Sequence, residues 1–299
     1  MTAKQDRRIA ERPPVCSDVI IVAHNSGRLL SESVASAVAQ AGASNVWVVD
    51  AESTDGSVDA LCVGRKNRDK KPGSGHIVAD EEPVNLLPVP NSGFAAACNR
   101  GLEATGAPFA LLLNPDAVLQ DGALEALENT AHTNPEAGVI GALILDTDGT
   151  VQAESYGRFP SLLTQAGLHI RRMLQRLRGR TTGSLRAPDS AKAVDWVTGA
   201  AMLVRRSAIA EVGPLDEGFF LYYEDIDWCR RMRVQGWRVL LEPSAKVLHH
   251  RGGSGAPAAT VARAYRESFY RYCSKHGLWG LKTAARLGLM FRRLTKRTL

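Results

Sequence analysis

Asn114-Pro115-Asp116 closes the hydrophobic run Phe109 to Leu113, so its backbone is anchored and its carboxylate stands at the end of a strand. Asn, Pro and Asp are all turn formers, and the tripeptide reads either as a turn or as an oxygen ligand for a divalent cation that grips phosphates. Glu224, Asp225 and Asp227 place three carboxylates within four residues, beside Phe219, Phe220, Tyr222, Tyr223 and Trp228. Repulsion among like charges against an apolar wall raises at least one pKa and creates a candidate general base; the plainer alternative is a helix N-terminus whose dipole favours acids. His249 ends a strand-like run before Arg251-Gly252-Gly253-Ser254, which leaves it either a structural histidine or a metal ligand.

These groups need elements to position them. From 18 to 145 short apolar runs alternate with helical periodicities, the pattern of βα units on a mostly parallel sheet. Val19 to Val22, Val46 to Val49, the region of Leu86-Leu87, Phe109 to Leu113 and Val139 to Leu145 read as strands. Leu30, Val34 and Val38 mark one helix with Gly42 as its stop, Phe94 to Leu102 a second, and Leu124, Leu127 and Ala131 a third. The charged stretch Arg65 to Pro83 reads as a surface loop. In open α/β sheets ligands bind beyond the carboxyl ends of the strands, and Asn25, Asp50, Asn91 and Asp116 fall there. There is no G-x-G-x-x-G after the first strand and no G-x-x-x-x-G-K-[ST], which counts against an ordinary dinucleotide or P-loop site and against a nucleotidyltransferase or phosphotransferase. Further on, strands are expected at Ala201 to Val204, near Val239 and near Val247.

At 299 residues, with 44% hydrophobic and 23% charged side chains, the chain can bury a substantial core, which excludes disorder and small disulfide scaffolds. Its net charge of +6 is unevenly spread: residues 263–299 hold ten Lys/Arg and one acid, and Arg171 to Lys192 hold seven and one. The remainder is therefore acidic, and the two basic segments point to local anionic partners. Five dispersed cysteines without a C-x-x-C pair argue against a zinc site or disulfide framework. Met1 to Asp18 is polar and no stretch reaches the roughly 18 apolar residues of a bilayer span, so the expectation is a cytoplasmic, surface-bound protein.

Together the motifs resemble the inverting, GT-A-type glycosyltransferases of family 2, most of all their rhamnosyltransferase-like branch. The resemblance runs in order through Val19-Ile20-Ile21-Val22-Ala23-His24-Asn25-Ser26, Val48-Val49-Asp50-Ala51-Glu52-Ser53-Thr54-Asp55-Gly56-Ser57 and Asn91-Ser92-Gly93-Phe94-Ala95-Ala96-Ala97-Cys98-Asn99. It continues through Leu111-Leu112-Leu113-Asn114-Pro115-Asp116, Gly199-Ala200-Ala201-Met202-Leu203-Val204, Glu224-Asp225-Ile226-Asp227-Trp228-Cys229-Arg230-Arg231 and His249-His250-Arg251-Gly252-Gly253-Ser254. It implies a GT-A fold, a mostly parallel Rossmann-like sheet flanked by helices, with a catalytic domain over 18–255. That domain divides into a nucleotide-sugar half (18–145) and an acceptor half (146–255), between a polar extension (1–17) and basic C-terminal helices (256–299).

The same resemblance implies roles. Ala23, Asn25 and Asp50 contact the donor's base and ribose, and Asn91, Gly93, Asn99, Asn114, Gly199 and Ala200 complete the donor pocket. Asp116 and His249 hold Mn²⁺ or Mg²⁺. Asp225 is the base that deprotonates the acceptor hydroxyl, supported by Glu224 and Asp227. The chain departs from the family pattern at Asn114, which takes the first acidic position of the D-x-D motif, and at Ala51, where Asn is usual. The implied reaction moves one sugar, L-rhamnose from dTDP-L-rhamnose, to a cell-surface glycan carried on a polyprenyl diphosphate. UDP-sugar donors (galactofuranose, GlcNAc) and a non-catalytic nucleotide-sugar-binding homologue are the alternatives. A cation neutralises the departing diphosphate while a carboxylate removes a proton on the opposite face of the sugar, so inversion separates metal from base.

Tyr265, Phe269 and Tyr272, followed by Leu278, Leu281, Leu287, Phe291 and Leu294 among ten basic groups, read as a C-terminal helix pair with a solvated basic face or as an interfacial helix on anionic lipid. Nucleic acid is the weaker rival, because no binding motif accompanies the basic run. The localisation expected from this reading is peripheral, at the inner face of the cell membrane.

Overall fold

The computed structural model describes residues 16–62, 76–79, 82–153, 155–164, 187–250 and 257–295. The basic stretch from Arg171 to Arg186, the Arg251 to Ser254 part of the histidine motif and most of the N-terminal extension lie outside the described residues. The strands are β1 (Ser17–Ala23), β2 (Val46–Ala51), β3 (His76–Ala79), β4 (Glu82–Val89), β5 (Phe109–Leu113), β6 (Ala117–Leu119), β7 (Ala137–Leu145), β8 (Tyr156–Gly157), β9 (Lys192–Ala193), β10 (Trp196–Val197), β11 (Ala201–Arg205) and β12 (Arg238–His249). The helices are α1 (Leu29–Ala41), α2 (Ser57–Cys62), α3 (Phe94–Ala104), α4 (Ala123–Thr133), α5 (Arg206–Val212), α6 (Glu224–Val234), α7 (Ala258–Lys275) and α8 (Trp279–Thr295).

One sheet runs in the order β3-β4-β2-β1-β5-β11-β7-β12-β6, with β9 added against β12. β4, β2, β1 and β5 are parallel neighbours, as the βα alternation requires. Beyond β5 the directions mix: β11 is antiparallel to both β5 and β7, β12 is parallel to β7, and β6 is antiparallel to β12. Part of the charged stretch expected to be a loop is β3, antiparallel to β4. The runs near Val239 and Val247 belong to a single strand, β12, whose register against β7 shifts between Glu242 and Lys246. Pro243 falls in that irregularity, where a missing N–H is tolerated.

Alternation along β1 divides the core. Val19, Ile21 and Ala23 join α1 and α4 through Leu30, Val34, Leu124 and Leu127. Ile20 and Val22 face the opposite layer, where Cys98 and Leu102 of α3 and Trp228 and Met232 of α6 close the core. Each large side chain buried in this way contributes roughly 1.5–3 kcal/mol. A Cβ at Gly101 would lie 2.5 Å from Ile20 Cγ2, so glycine there lets α3 approach β1 closely. A third, smaller cluster joins Phe219 and Tyr223 to Tyr272 of α7. Among the described residues no helix is long and apolar enough to cross a membrane.

Candidate active site

The carboxyl ends of β1, β2 and β4 lie side by side, because Ala23 pairs with Asp50 and Ala51 pairs with Val89. The chain leaving each end is fixed by side chains of the next. Asn25 Oδ1 accepts from Thr54 N at 2.8 Å, Asp50 accepts from Ser53 N at 3.0 Å, and Asn91 N donates to Glu52 Oε2 at 3.3 Å. Asn25 (φ 50) and Glu52 (φ 57) both occupy left-handed backbone, an unusual conformation kept here where two loops interlock. His24 ties this corner together, its Nδ1 at 2.7 Å from Ala51 O. His24 and Glu52 were not singled out by residue type, because their roles arise only when three strand ends meet. Ala23 is fully buried at the end of β1, so neither its side chain nor its backbone is open to a ligand there.

Asn99 was expected in the donor pocket, but its side chain is committed elsewhere. Its Oδ1 accepts from Leu215 N at 3.0 Å, and its Nδ2 donates to Leu215 O at 2.9 Å and to Glu217 Oε1 at 3.0 Å. It braces the 215–217 loop against α3. Gly93 (φ 103) precedes α3, and its conformation favours glycine. A Cβ there would meet Phe220 O at 2.6 Å, while Phe94 N donates to that same oxygen at 2.8 Å. The 219–223 loop therefore closes directly over the start of α3.

The Asp116–His249 end of the sheet is assembled by β6. Ala117 pairs with His249 across the β6–β12 ladder, and His250 N donates to Asp116 O at 3.0 Å. This brings Asp116, 6% exposed, to within 3.2 Å of His249 Nε2 through Oδ1. Gln152 holds the imidazole from behind: its Nε2 donates to His249 O and to Asp146 Oδ1, both at 2.8 Å, so its Oε1 faces His249 Nδ1 at 3.1 Å. That arrangement assigns the ring proton to Nδ1 and turns the Nε2 lone pair toward Asp116. A lone pair and a carboxylate oxygen this close fit a shared cation. Asn114 Nδ2 lies 3.2 Å from the same Nε2, so the amide occupies the position next to the pair rather than supplying a third acid. Among the described residues no group of three or more His, Cys, Asp and Glu converges, so an ion held by Asp116 and His249 would take its other ligands from amide, water or phosphate oxygens.

Two adjacent residues connect this end to the acids. Ala200 O accepts from Asn114 N at 3.0 Å, and Gly199 N donates to Asp225 Oδ2 at 2.9 Å. They reach the same sheet edge because β11 runs antiparallel to β5, with Ala201 opposite Leu113. Glu224, Asp225 and Asp227 occupy the first turn of α6, so the helix N-terminus and the candidate base are one feature. Burial raises the Asp225 carboxyl, and hydrogen bonds from Gly199 and Ile226 only partly oppose it. Burial and then the Asp225 charge push Glu224 well up; its Oε2 has no hydrogen-bond partner. Tyr222 is raised by burial and then by the Glu224 and Asp116 charges.

Asp227 behaves in the opposite way. Burial works against its charge, but hydrogen bonds from His276, Lys275 and Arg231 outweigh that and hold its pKa below the ordinary value. Fully buried and ion-paired, it anchors α6 and does not join the base.

Polar groups at the parallel strand ends, the Asp116–His249 pair and the adjacent Glu224 and Asp225 lie along one mixed α/β sheet of the GT-A type. A sequence model of Glycosyl transferase family 2 matches residues 18–213, and the chain belongs to that family. The matched span ends before α6, so the acid cluster lies beyond it. The N-acetylglucosaminyl-diphospho-decaprenol L-rhamnosyltransferase of Mycobacterium tuberculosis is 31% identical over 281 residues, 87% of this chain and 85% of that protein. The rhamnosyltransferase WbbL of Escherichia coli is 31% identical over 99 residues, 33% of this chain and 38% of that one. The solved structure of GalNAc-T7 with UDP, GalNAc and Mn²⁺ is similar with a TM-score of 0.57 at 16% identity, covering 87% of this chain and 48% of that one. TarS of Staphylococcus aureus follows at 0.54 and 13% identity, covering 85% and 38%. These two likenesses concern the fold, and this chain spans less than half of either solved chain.

Proposed function

We propose that this family 2 glycosyltransferase is an inverting, divalent-cation-dependent enzyme that transfers one L-rhamnose from dTDP-L-rhamnose to a polyprenyl-diphosphate-linked glycan. The observation that carries the proposal is the Gly199-Ala200 bridge, whose backbone fixes Asp225 on one side and Asn114 on the other. The reach of the mycobacterial rhamnosyltransferase match, 87% of this chain, supports the choice of sugar and acceptor.

Asn25, Asp50 and Asn91 meet the base and ribose, and Gly93 lets the 219–223 loop close over the bound sugar. Asp116 and His249 hold Mn²⁺ or Mg²⁺, with Gln152 orienting the imidazole; when bound, the ion neutralises charge on the departing dTDP. Asp225 takes the proton of the acceptor hydroxyl as that oxygen attacks C1 from the face opposite the diphosphate. Glu224, buried beside it, is raised well up by burial and by the Asp225 charge, so the two carboxyls do not ionise together.

The acceptor's lipid anchor gives the C-terminal helices a task. Leu281 is buried, whereas Trp279 and Leu287 of α8 are each 61% exposed; the exposed Leu162 lies against Gly280 of α8, and Lys282 lies over the Trp279 ring. This mixture suits an anionic membrane surface, where each basic group contributes about 1 kcal/mol. Salt-sensitive flotation with anionic liposomes is expected, and no flotation removes the membrane part.

The donor is tested by a panel of dTDP-rhamnose, UDP-galactofuranose, UDP-GlcNAc and GDP-mannose. Mn²⁺-dependent release of dTDP from dTDP-rhamnose alone supports the reading; release of UDP or GDP reassigns the donor, and no release from any donor overturns it.

A further inference from the structure

The segment that delivers the acid pair is strained, and what restrains it comes from the C-terminal helix. Tyr222 and Tyr223, immediately before Glu224, both have φ 69. Left-handed backbone at bulky residues is unfavourable and persists only where the surroundings over-determine it. No side chain caps α6, whose N-cap is Tyr223 itself.

The restraint is supplied by α7 on both sides of Glu224-Asp225. Before the pair, Ser268 Oγ donates to Leu221 O at 2.7 Å and the Tyr223 hydroxyl donates to the Tyr265 hydroxyl at 3.0 Å. The Tyr223 ring packs among Tyr265, Phe269 and Tyr272, with centroids 5.2, 5.6 and 5.5 Å away. After the pair, Asp227 accepts from Lys275 Nζ and His276 Nε2, both at 2.8 Å. Asp216, at the root of the loop, is held by the same helix through Lys275 at 2.7 Å and Arg271 at 3.0 Å. Burial opposes its charge, yet hydrogen bonds from Lys275 and Gly218 bring it to about 2. The far edge of the loop is tied to α3 through the Phe94–Phe220 hydrogen bond.

We infer that Tyr265, Ser268, Lys275 and His276 are positioning residues, and that α7 belongs to the catalytic apparatus by clamping residues 221–227 so that Glu224-Asp225 faces the donor. The inference rests on the proposed role of Asp225 as base. Misplacing a reacting group by about 1 Å costs on the order of 100-fold in rate, so loosening this clamp is read in turnover before it is read in donor binding.

The test uses the full-length Tyr265→Phe/Ser268→Ala double variant and, separately, His276→Gln. The first removes two hydroxyls with little change in packing, and the second removes one bond to a buried carboxylate that retains Arg231 and Lys275. Measured well below the melting temperature, kcat is expected to fall about 10-fold or more while the donor KM stays within about two-fold. Hydrogen exchange over 219–227 should quicken about 10-fold, with residues 18–62 unchanged. A kcat within two-fold of wild type despite faster exchange overturns the positioning role, and so does a loss of kcat matched by equal loosening throughout the chain. If the unmodified chain turns over no donor, the donor reading fails by itself. Unchanged exchange over 219–227 would then still refute the clamp.

Discussion

At the nucleotide edge, Asn25, Asp50 and Asn91 are fixed by partners 29, 3 and 39 residues away, all in loops that follow parallel strands. At the reacting edge, His249 meets Asn114 across 135 residues, and Asp227 meets His276 across 49. The first edge is partly exposed and held by hydrogen bonds alone. The second holds buried carboxylates, two left-handed tyrosines and a helix from outside the sheet. Recognition is thus built from repeated local units, whereas the reacting groups depend on contacts made after the chain has folded back twice.

Several variants break or sharpen that contrast. Asp225→Asn removes the base but keeps its shape, and kcat should fall about 1,000-fold, measured as transfer at saturating donor. Asp116→Ala removes a cation ligand and should erase the Mn²⁺-dependent part of dTDP affinity, about 100-fold by titration calorimetry. Gln152→Leu leaves both ligands in place but frees the His249 ring, and Mn²⁺ should bind about 10-fold more weakly. Gly93→Ala forces a methyl onto Phe220 O at φ 103 and should lower stability by about 2–3 kcal/mol, read by chemical denaturation.

The smallest effects are in pH. Because the Asp225 carboxyl is raised, the acid limb of kcat should lie above the ordinary aspartate value of 3.8. Asp216 and Asp227 are lowered, so their contribution to stability is fully present above about pH 4 and is lost as pH falls through the Asp216 value of about 2. Melting temperatures at pH 7, 4 and 2.5 check the sign.

Asp50 and Asn114 were legible because each follows a strongly apolar run, where a polar residue has one place to go. Motif order singles out Asp116 and Asp225, and the sheet places the first beside His249 through β6 and the second beside Gly199. Gln152 carries no local signal: it follows β7 in an unpatterned stretch and matters only through the β12 end. Asp227 read as part of the base because its neighbours in sequence are acids, whereas its neighbours in space are Lys275 and His276. Asn99 shares a motif with Asn91, yet the helical turns between them aim it at Leu215. β12 was split into two strands because Pro243-Ser244 interrupts the apolar run, and a bulge carries the strand through.

The proposed reacting edge has two separable parts, Asp116 and His249 for the cation that dTDP needs and Asp225 for the proton of the acceptor. The most direct test measures dTDP affinity with Mn²⁺ and transfer rate on the same preparations of Asp225→Asn and Asp116→Ala. A crossed result is predicted: Asp225→Asn binds dTDP within about two-fold of wild type and does not transfer, whereas Asp116→Ala loses the Mn²⁺-dependent affinity. Near-normal transfer by Asp225→Asn, or unchanged Mn²⁺-dependent binding by Asp116→Ala, would contradict it.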